Sequence, residues 1–383
     1  MTDPAPFDVA EADRLLTTTR AVRRRLDFER DVPDQILLDC IDVAEQAPSG
    51  GNDASRRWIV VRNPEQRERL GEIYRRNGDF MRQVSERLEG TNHDKEKVFS
   101  SSAYLVENFS RAPVLVIAAI WGEHDNSGRP GLFDSVIQSA WSFNLALRAR
   151  GLGSTWTTIL NADVDALAAE LGIPAGVTTI VTFPVAYTKG IDFSPVPRRP
   201  ATEITYFDQW GFTRAQASAD GTARVADGPG VVVEVDIDAR PRAVWPLVTD
   251  IELPARFSSE FVGAEWQTEP GPGGRFLGRN ERDGRAWEVE CHVTAWDEHR
   301  AFEWSTTDPT NPGAVWRFEL SEIGLRTRLR FSVRIGTENN LTARFAVQHP
   351  TQEEAVLHAR RSALKANMQA TVEGLRDAAT DAA

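Results

Sequence analysis

The stretch "FDSVIQSAWSFNLALRARGLG", from Phe133 to Gly153, decides the fold of the first half of the chain. Its mostly apolar residues predict one long helix that the glycines terminate. The apolar runs "APVLVIAAI" (112–120) and "TTIVTFPVAY" (178–187) lie on either side of it and predict buried strands. Upstream, "PDQILLDCIDVAEQA" (33–47) predicts another helix and "RRWIVVRN" (56–63) another strand. The first half is therefore predicted to be an α+β or α/β domain with a helical centre.

The second half has a different pattern. It begins with the strand pattern "VVVEVDI" (231–237) and a short helix with Pro241 near its start. Several strand patterns follow between Glu265 and Gly336, and a long amphipathic helix is predicted from about Gln352 to Ala379. A strand, a helix, an antiparallel meander and a long helix describe a sheet that curls around one helix, with a cavity between them.

Length and composition predict where the two domains meet. A chain of 383 residues is too long for one ordinary core. The segment "TRAQASADGTARVADGPG" (213–230) has Val225 as its single large apolar residue and is rich in Ala, Gly, Asp and Ser. Such a composition is typical of a flexible connection. We therefore predict domains at residues 1–212 and 230–383, with a linker at 213–229.

Charge and hydropathy argue against several classes of function. The formal net charge of −12 disfavours a nucleic-acid-binding protein. The longest apolar run (112–121) is about half the length that spans a bilayer, and the N-terminus has no secretory signal pattern. Cys40 and Cys291 have no metal-ligand spacing, and the histidines form no two-histidine helical motif. We expect a cytoplasmic protein with no metal site, no nucleic-acid partner and no membrane partner.

A cluster of arginines contrasts with this acidic composition. "RAVRRR" (20–25) is predicted to lie in a helix, on which Arg20, Arg23 and Arg24, at positions i, i+3 and i+4, project from one face. Two interpretations are open at this point. The face is either a solvated basic surface or a clamp for one phosphate, since guanidinium groups match phosphate geometry.

Three other stretches place polar groups next to glycine or proline. "APSGGN" (47–52) lies between a helix and a strand, "GLGSTWTT" (151–158) follows the long helix, and "PVPRRP" (195–200) reads as extended. Taken alone they predict a turn, a helix end and an exposed segment. The small residues of the first stretch also let backbone approach a flat ligand, and Ser49 and Asn52 offer hydrogen-bonding groups.

In their order and spacing these pieces resemble the nitroreductase family of flavoproteins, from about Leu15 to Gly211. The helix "SAWSFNLALRARGLGS" and the segments "LGIPAG" and "RRPATEITYFDQWG" belong to the same resemblance. It implies FMN at the interface of a homodimer, with NAD(P)H as the reductant. It also implies hydride transfer through the flavin to an electron-poor organic acceptor, such as a nitroaromatic, a quinone or an activated alkene. No catalytic side chain is implied.

Carried over residue by residue, the resemblance implies a phosphate site. Arg20 and the backbone at Ala21 hold the FMN phosphate, and Arg23 approaches the pyrimidine end of the ring. Arg198 or Arg199 returns to the phosphate from later in the chain.

The same resemblance implies that the flavin ring is contacted from two subunits. Pro48, Ser49 and Asn52 line the isoalloxazine from the neighbouring subunit of the dimer. The backbone around Thr157 and Thr158 faces the N5 and O4 atoms of the ring.

Two departures from the family pattern keep an alternative open. Ala21 stands where the family usually has a serine, and Ala54, Ser55 and Arg56 stand where it commonly has Gln-Pro-Trp. The alternative is a non-catalytic protein that binds a hydrophobic ligand and carries a degenerate flavin site. On either interpretation we expect an aromatic or hydrophobic small molecule as the partner.

The second half resembles the START-like superfamily that includes the polyketide cyclases, from about Pro229 to Ala379. The matching segments are "VEVDIDARPRAVWPLVTDIELPARFS" and "VTAWDEHRAFEW", together with the long final helix. The aromatic residues that either line a ligand pocket or form plain core are Trp245, Phe257, Phe261, Trp266, Trp287, Trp304 and Trp316. The predicted fold class is thus α+β: a nitroreductase-like FMN-binding α/β domain, then a helix-grip antiparallel sheet with a long C-terminal helix that binds a planar or lipidic ligand.

Overall fold

The computed structural model describes residues 7–91, 93–123, 133–216 and 221–381. It divides into two compact units, Met1–Pro197 and Arg198–Ala383. In both units the described residues combine helices with an antiparallel sheet. Every helix within these described ranges is too short or too polar to cross a lipid bilayer.

In the first unit, helices and strands are interspersed along the chain. In chain order they are α1 (Val9–Thr18), β1 (Leu26–Asp27), α2 (Asp34–Ala44), β2 (Arg56–Val61), α3 (Pro64–Leu88), α4 (Glu96–Asn108), β3 (Val114–Trp121), α5 (Phe133–Ala149), β4 (Leu152–Gly153), α6 (Val164–Leu171) and β5 (Val177–Thr188). Helices α2 and α5 and strands β2, β3 and β5 confirm the elements predicted from the hydrophobic pattern.

The sheet of the first unit is buried on both faces. Its described strands pair in the order β1-β5-β3-β2, and β4 also pairs with β5. Along β3, Val116 and Ala118 pack into a core shared with α2 and α5. Leu115 and Ile117 pack into a second core shared with α3 and α4. Burial on both faces explains why β3 is a continuous apolar run and not an alternating one.

The helix predicted over "RAVRRR" is wrong. Helix α1 ends at Thr18, and residues 20–25 form a loop and a turn that lead into β1. The side chains of Val22 and Leu26 are buried, and the Val22 amide donates to the Ser154 carbonyl at 2.8 Å. Burial of Val22 holds the backbone against the sheet edge, and this tertiary contact overrides the helical spacing of the arginines.

The second unit is dominated by one large sheet. In chain order its elements are α7 (Ala201–Ile204), β6 (Phe212–Arg214), β7 (Pro229–Ile237), α8 (Pro241–Thr249), β8 (Phe261–Trp266), β9 (Arg275–Arg282), β10 (Arg285–Asp297), β11 (Ala301–Thr306), β12 (Ala314–Ile323), β13 (Arg326–Ile335), α9 (Leu341–Gln348) and α10 (Glu353–Asp381). Its described strands pair in the order β6-β7-β13-β12-β11-β10-β9-β8. The predicted meander and long final helix are confirmed.

One face of this sheet packs against α10. Phe318 lies opposite both Phe302 and Phe331 in the strand register. All three belong to a core that includes Leu364 and Met368 of α10. Ion pairs on the opposite face join Arg330 to Glu234, Arg328 to Asp236 and Arg317 to Glu303. An antiparallel sheet with one apolar and one charged face, gripping a long helix, is the helix-grip arrangement.

The second unit begins earlier in the chain than the predicted domain boundary. The composition placed a linker at 213–229, whereas the compact unit starts at Arg198 and β6 pairs with β7. Arg214 and Val225 are both buried in this segment. Composition does not reveal such a strand, because β6 is only three residues long and pairs through backbone groups that every residue type carries.

Gly336 lies at a close approach between β13 and the loop before β12. Its amide donates to the Gly313 carbonyl at 2.9 Å, and a Cβ at this position would overlap the Pro312 carbonyl oxygen. We expect Gly336→Ala to lower the free energy of unfolding of the second unit by more than about 2 kcal/mol, because backbone must move to relieve the overlap. Urea unfolding followed by circular dichroism measures this loss.

Gly278 in β9 provides the matched control. A Cβ there would lie 3.5 Å from the Phe261 ring, which is an ordinary contact. The free energy of unfolding of the Gly278→Ala variant should therefore lie within about 1 kcal/mol of that of the original protein. If both substitutions cost the same, the close approach at Gly336 is not what constrains that position.

Candidate functional site

A pocket of about 130 Å³ lies in the first unit, between segments that are far apart in the sequence. It is lined by Arg23, Tyr74, Met81, Ser102, Leu105 and residues 155–159. The loop after α1, helices α3 and α4, and the segment after β4 thus meet here. Two of the stretches singled out in the sequence, "RAVRRR" and "GLGSTWTT", contribute to the same pocket.

Arg23 carries the positive charge of this pocket. Its side chain is half-buried, and its Nη1 lies 3.4 Å from the Ser101 hydroxyl. Burial lowers the pKa of the Arg23 guanidinium. In the part of the chain that the structure describes, no carboxylate lies within 4 Å of it. A guanidinium withdrawn from water without a counter-charge is costly, so the pocket favours an anionic or electron-rich ligand.

A buried hydrogen bond connects α3 to the segment after β4. The Tyr74 hydroxyl and Thr157 Oγ1 are 2.9 Å apart, and both residues are buried. The Tyr74 ring stacks on Phe109 with centroids 3.9 Å apart. Burial raises the pKa of Tyr74 to about 12. The hydroxyl therefore remains protonated at neutral pH and holds Thr157 against α3.

The segment from Ser154 to Thr158 contains both satisfied and unsatisfied polar groups. Thr155 lines the pocket, and its buried Oγ1 has no hydrogen-bond partner among the described residues. The Thr157 backbone forms a bridge to Thr182, with N···O distances of 3.2 and 2.9 Å. Because the Thr157 amide is used in this bridge, a backbone contact to a ligand would come from Thr158. Thr158 is exposed and lines the pocket.

Arg20 and Ala21 lie on the surface of the same loop. The Arg20 Nη1 donates to the Ser194 carbonyl at 3.2 Å, and within the described ranges no carboxylate pairs with this side chain. Arg25 differs, because it is ion-paired with Asp192. The cluster therefore contains arginines whose charge is available to a ligand and one whose charge is already balanced.

The loop between α2 and β2 lies outside this pocket. Pro48, Ser49 and Asn52 do not line it. The Gly50 amide donates to the Ser135 hydroxyl of α5 at 2.9 Å, and Asn52 has a left-handed backbone with φ of 55°. The loop is thus a tight turn anchored to α5. Within one chain the structure does not bring these three residues together with Arg23.

Arg198 and Arg199 belong to the second unit. Arg198 is exposed, whereas the Arg199 Nη1 lies 2.8 Å from the Glu319 carboxylate and 3.0 Å from that of Glu203. These ion pairs balance the charge of Arg199. Because both would be lost if the side chain turned elsewhere, the structure disfavours the predicted phosphate contact for Arg199.

A larger cavity, of about 550 Å³, lies in the second unit between the sheet and α10. Its wall is formed largely by aromatic residues of the sheet, among them Trp304, Trp316 and Phe331, and by Leu364 and Met368 of the helix. The volume falls within the range of about 300–1,000 Å³ that small-molecule sites occupy.

Comparison with known families identifies the two units. Residues 16–187 match the nitroreductase family. Residues 229–380 match the family of polyketide cyclases / dehydrases and lipid transport proteins. The chain joins a nitroreductase-family domain to a polyketide cyclase-like domain. The pocket around Arg23 lies in the nitroreductase-family domain, and the aromatic cavity lies in the polyketide cyclase-like domain.

Similar solved structures match about half of this chain. The FMN-dependent nitroreductase NfnB from Mycobacterium smegmatis, in complex with NADPH, is 21% identical and covers 53% of this chain and 100% of its own, with a TM-score of 0.40. Iodotyrosine deiodinase bound to FMN and 3-iodo-L-tyrosine is 22% identical, covers 51% and 97%, and has a TM-score of 0.39. A nitroreductase with bound FMN from Desulfitobacterium hafniense DCB-2 is 17% identical, covers 49% and 94%, and has a TM-score of 0.37.

The nitroreductase-family domain brings together three of the predicted residues, Arg23, Thr157 and Thr158. The sequence reasoning missed Tyr74 and Thr155. Tyr74 occupies an ordinary core position of α3, and no local pattern indicates that its hydroxyl meets Thr157. Thr155 stands inside the stretch that was singled out, and the preference for the later threonines came from the family resemblance.

In the polyketide cyclase-like domain the structure separates cavity aromatics from core aromatics. Of the predicted set, those that line the cavity are Phe261, Trp287, Trp304 and Trp316. Trp245, Phe257 and Trp266 lie outside its lining. Trp245 packs edge-on against Trp296 with ring centroids 5.5 Å apart. The sequence left open whether these aromatic residues line a pocket or form plain core. Some of them do the first and others do the second.

The contact between Tyr74 and Thr157 leads to a test of stability. We expect Tyr74→Phe to lower the free energy of unfolding of the nitroreductase-family domain by about 1–2 kcal/mol, because the Thr157 hydroxyl is left buried without its partner. Tyr104→Phe is the matched control, since Tyr104 is half-buried and its hydroxyl makes no hydrogen bond within the described residues. Urea denaturation of both variants measures the difference, and equal losses would contradict the role of the hydrogen bond.

Proposed function

We propose that this protein is an FMN-dependent NAD(P)H oxidoreductase of the nitroreductase type, with a second domain that binds a hydrophobic ligand. The acceptor is an electron-poor organic molecule such as a nitroaromatic, a quinone or an activated alkene. The match to the nitroreductase family supports flavin-dependent oxidoreduction in general. The observation that carries the specific proposal is the half-buried Arg23, which lacks a carboxylate partner in the described chain and shares a pocket with an unpartnered hydroxyl.

The residues present fit a flavin. Arg23 would lie toward the electron-rich pyrimidine end of the ring, where a cation is most stabilising. The Thr155 hydroxyl would gain the partner that it lacks, which recovers about 1–3 kcal/mol of desolvation cost. Thr158 offers backbone at the exposed side of the same pocket. Arg20 lies close to Arg23 in the sequence and is exposed. It would bind the phosphate together with the backbone at Ala21.

The size of the pocket supports a homodimer. The pocket volume of about 130 Å³ is smaller than the volume of a complete cofactor site, which is about 300–1,000 Å³. A second copy of the chain would supply the rest through its loop at Pro48, Ser49 and Asn52. Helix α5, to which this loop is anchored, exposes Ile137 and Trp141 one turn apart, at 42% and 41%. Exposed apolar pairs of this kind favour contact with another subunit.

Bound FMN would supply the chemistry by accepting a hydride from NAD(P)H and passing it to the acceptor. The chain's own residues then act by binding and orientation. Arg23 stabilises negative charge at the ring, Tyr74 keeps Thr157 and its neighbours in position, and Thr155 donates or accepts a hydrogen bond. The phosphate contact proposed for Arg198 rests on the family resemblance alone.

The charge of Arg23 provides a direct test of flavin binding. We expect Arg23→Gln to raise the FMN dissociation constant at least about tenfold, because a charge-assisted contact is lost from a partly buried site. Arg25→Ala is the matched control from the same cluster, and it should change the constant by less than about twofold, since Asp192 already balances Arg25. Fluorescence quenching of FMN titrated with apoprotein measures both constants.

Equal effects of Arg23→Gln and Arg25→Ala would mean that the cluster acts as a general basic surface. A purified protein that is colourless, and that added FMN does not convert to a yellow form, would favour the non-catalytic alternative. Release of FMN from the yellow protein on denaturation would identify the cofactor.

The oxidoreductase activity has its own test. In a stopped-flow experiment, FMN-loaded protein mixed with NADH or NADPH should lose its flavin absorbance, and a quinone or nitroaromatic added afterwards should restore it. The two half-reactions should proceed separately, since the same ring serves both substrates in turn. A loaded protein that neither nicotinamide reduces would contradict the proposed activity while leaving flavin binding intact.

A further inference from the structure

The cavity of the polyketide cyclase-like domain has one polar end. Strands β9, β11 and β13 finish, and strands β10 and β12 begin, at the same end of the antiparallel sheet. The cavity-lining residues in this direction include Thr306 of β11, Asn339 after β13 and, farther along the sheet at the turn between β9 and β10, Arg282. The remainder of the wall is mainly aromatic and aliphatic. The cavity is therefore amphiphilic along the strand direction.

Three charged side chains of this end form one cluster. Glu260 is 8% exposed, and its Oε2 accepts hydrogen bonds from Arg360 Nη1 at 2.6 Å and Arg282 Nη1 at 3.2 Å. All three residues line the cavity. Two guanidinium groups on one carboxylate leave a net charge of +1. A guanidinium has five N–H donors, and in the described chain Arg360 uses a single nitrogen for Glu260, so donors remain for a ligand.

Two other carboxylates, those of Asp250 and Glu288, also line the cavity, and in the described chain neither lies within 4 Å of Arg282 or Arg360. Asp250 Oδ1 accepts from the backbone amides of Glu252 and Leu253. Glu288 is exposed, so solvent screens its charge.

Asp283 and Arg344 are two further charged groups of this domain. The Asp283 carboxylate is 3.8 Å from Arg282 Nε, beyond hydrogen-bonding distance, and its side chain is 91% exposed, so solvent screens it. Arg344 also lines the cavity, and no carboxylate within the described ranges lies within 4 Å of it. Within the ion-paired cluster of the described chain, two guanidinium groups thus share one carboxylate.

The aromatic wall indicates the shape of the other part of the ligand. Trp304 and Trp316 lie opposite each other on β11 and β12, with parallel rings and centroids 6.1 Å apart. Both occupy central strands of the sheet, yet both are only half-buried. Their remaining exposed surface faces the cavity. Flat apolar surface stacks well on such rings.

We propose that this cavity binds an organic anion: a flat aromatic body against Trp304 and Trp316, and an acid group held by Arg360 and Arg282. The inference rests on the proposed ligand-binding role of this domain and adds the charge and orientation of the ligand. An uncharged lipid or polyketide would leave the arginine donors to water and would gain nothing from the net charge.

A matched pair of fluorescent probes tests the charge. The anion 8-anilino-1-naphthalenesulfonate and the neutral N-phenyl-1-naphthylamine share one aromatic skeleton and differ in the sulfonate. Both are titrated into the full chain loaded with FMN at constant concentration. The anion should bind with one site per chain and roughly tenfold more tightly than the neutral probe. This preference should shrink as salt is added, because the Arg282 side chain of the cluster is 45% exposed to solvent.

Variants assign the preference to the cluster. Arg360→Met should weaken binding of the anion roughly fivefold to tenfold and leave the neutral probe within about twofold. Arg328→Met is the control for overall charge, since Arg328 pairs with Asp236 on the opposite face of the sheet, and it should change neither constant. Glu260→Gln should tighten binding of the anion, because the arginines lose their competing carboxylate. Damage to the fold would move both cavity variants in the same direction.

The outcomes separate this inference from the proposed ligand-binding role. If the neutral probe binds as tightly as the anion, and Arg360→Met affects both alike, the cavity binds hydrophobic ligands without regard to charge and the inference is wrong. If neither probe binds, the ligand-binding role of the domain fails with it. Opposite shifts of the anion constant in Arg360→Met and Glu260→Gln, with the neutral probe unchanged, support the organic anion.

Discussion

The number of sheet faces that each unit must cover governs its architecture. In the nitroreductase-family domain, β3 buries side chains on both faces, so helices are required on both. In the polyketide cyclase-like domain, the outer face of the sheet is satisfied by ion pairs between strands, and only the inner face needs covering. Helices α8, α9 and α10 pack against it, and they leave part of the concave face uncovered. The cavity of about 550 Å³ follows from that geometry.

The two sites use charge in related ways. Arg23 is half-buried in a pocket where no carboxylate of the described chain meets it, so its stability depends on a ligand or on water. In the cavity, Glu260 offsets one of two arginines and leaves the other. In both cases an incompletely balanced guanidinium lies beside apolar or aromatic surface, which favours an aromatic molecule with negative charge. Burial raises the pKa of the Cys291 thiol, which lines the cavity, to about 12, so this thiol is protonated at neutral pH.

Much of the fold could be predicted because its signals are local. The helix α5 and the strands β3 and β5 follow from apolar runs bounded by glycine and polar residues, and the meander follows from period-two alternation. The helix over "RAVRRR" was wrong, since nothing in six residues reveals that Val22 packs at a sheet edge. The boundary at 212 missed β6, whose pairing with β7 depends on backbone hydrogen bonds. Helix α9 also went unpredicted, between the meander and the long final helix.

The sequence alone determined the two-domain order, the types of the long elements and the family resemblance, because hydrophobic period and motif order are properties of the chain as written. Which polar groups share a site was decided by tertiary structure. Arg23 and Thr155 line the same pocket only when α3 and α4 pack on the sheet. Arg199 forms an ion pair with Glu319, which lies on β12 of the same unit. Tertiary packing likewise brings Glu260, Arg282 and Arg360 into one cluster. Charge balance depends on distances of a few ångströms across the fold, and linear spacing carries no information about those distances.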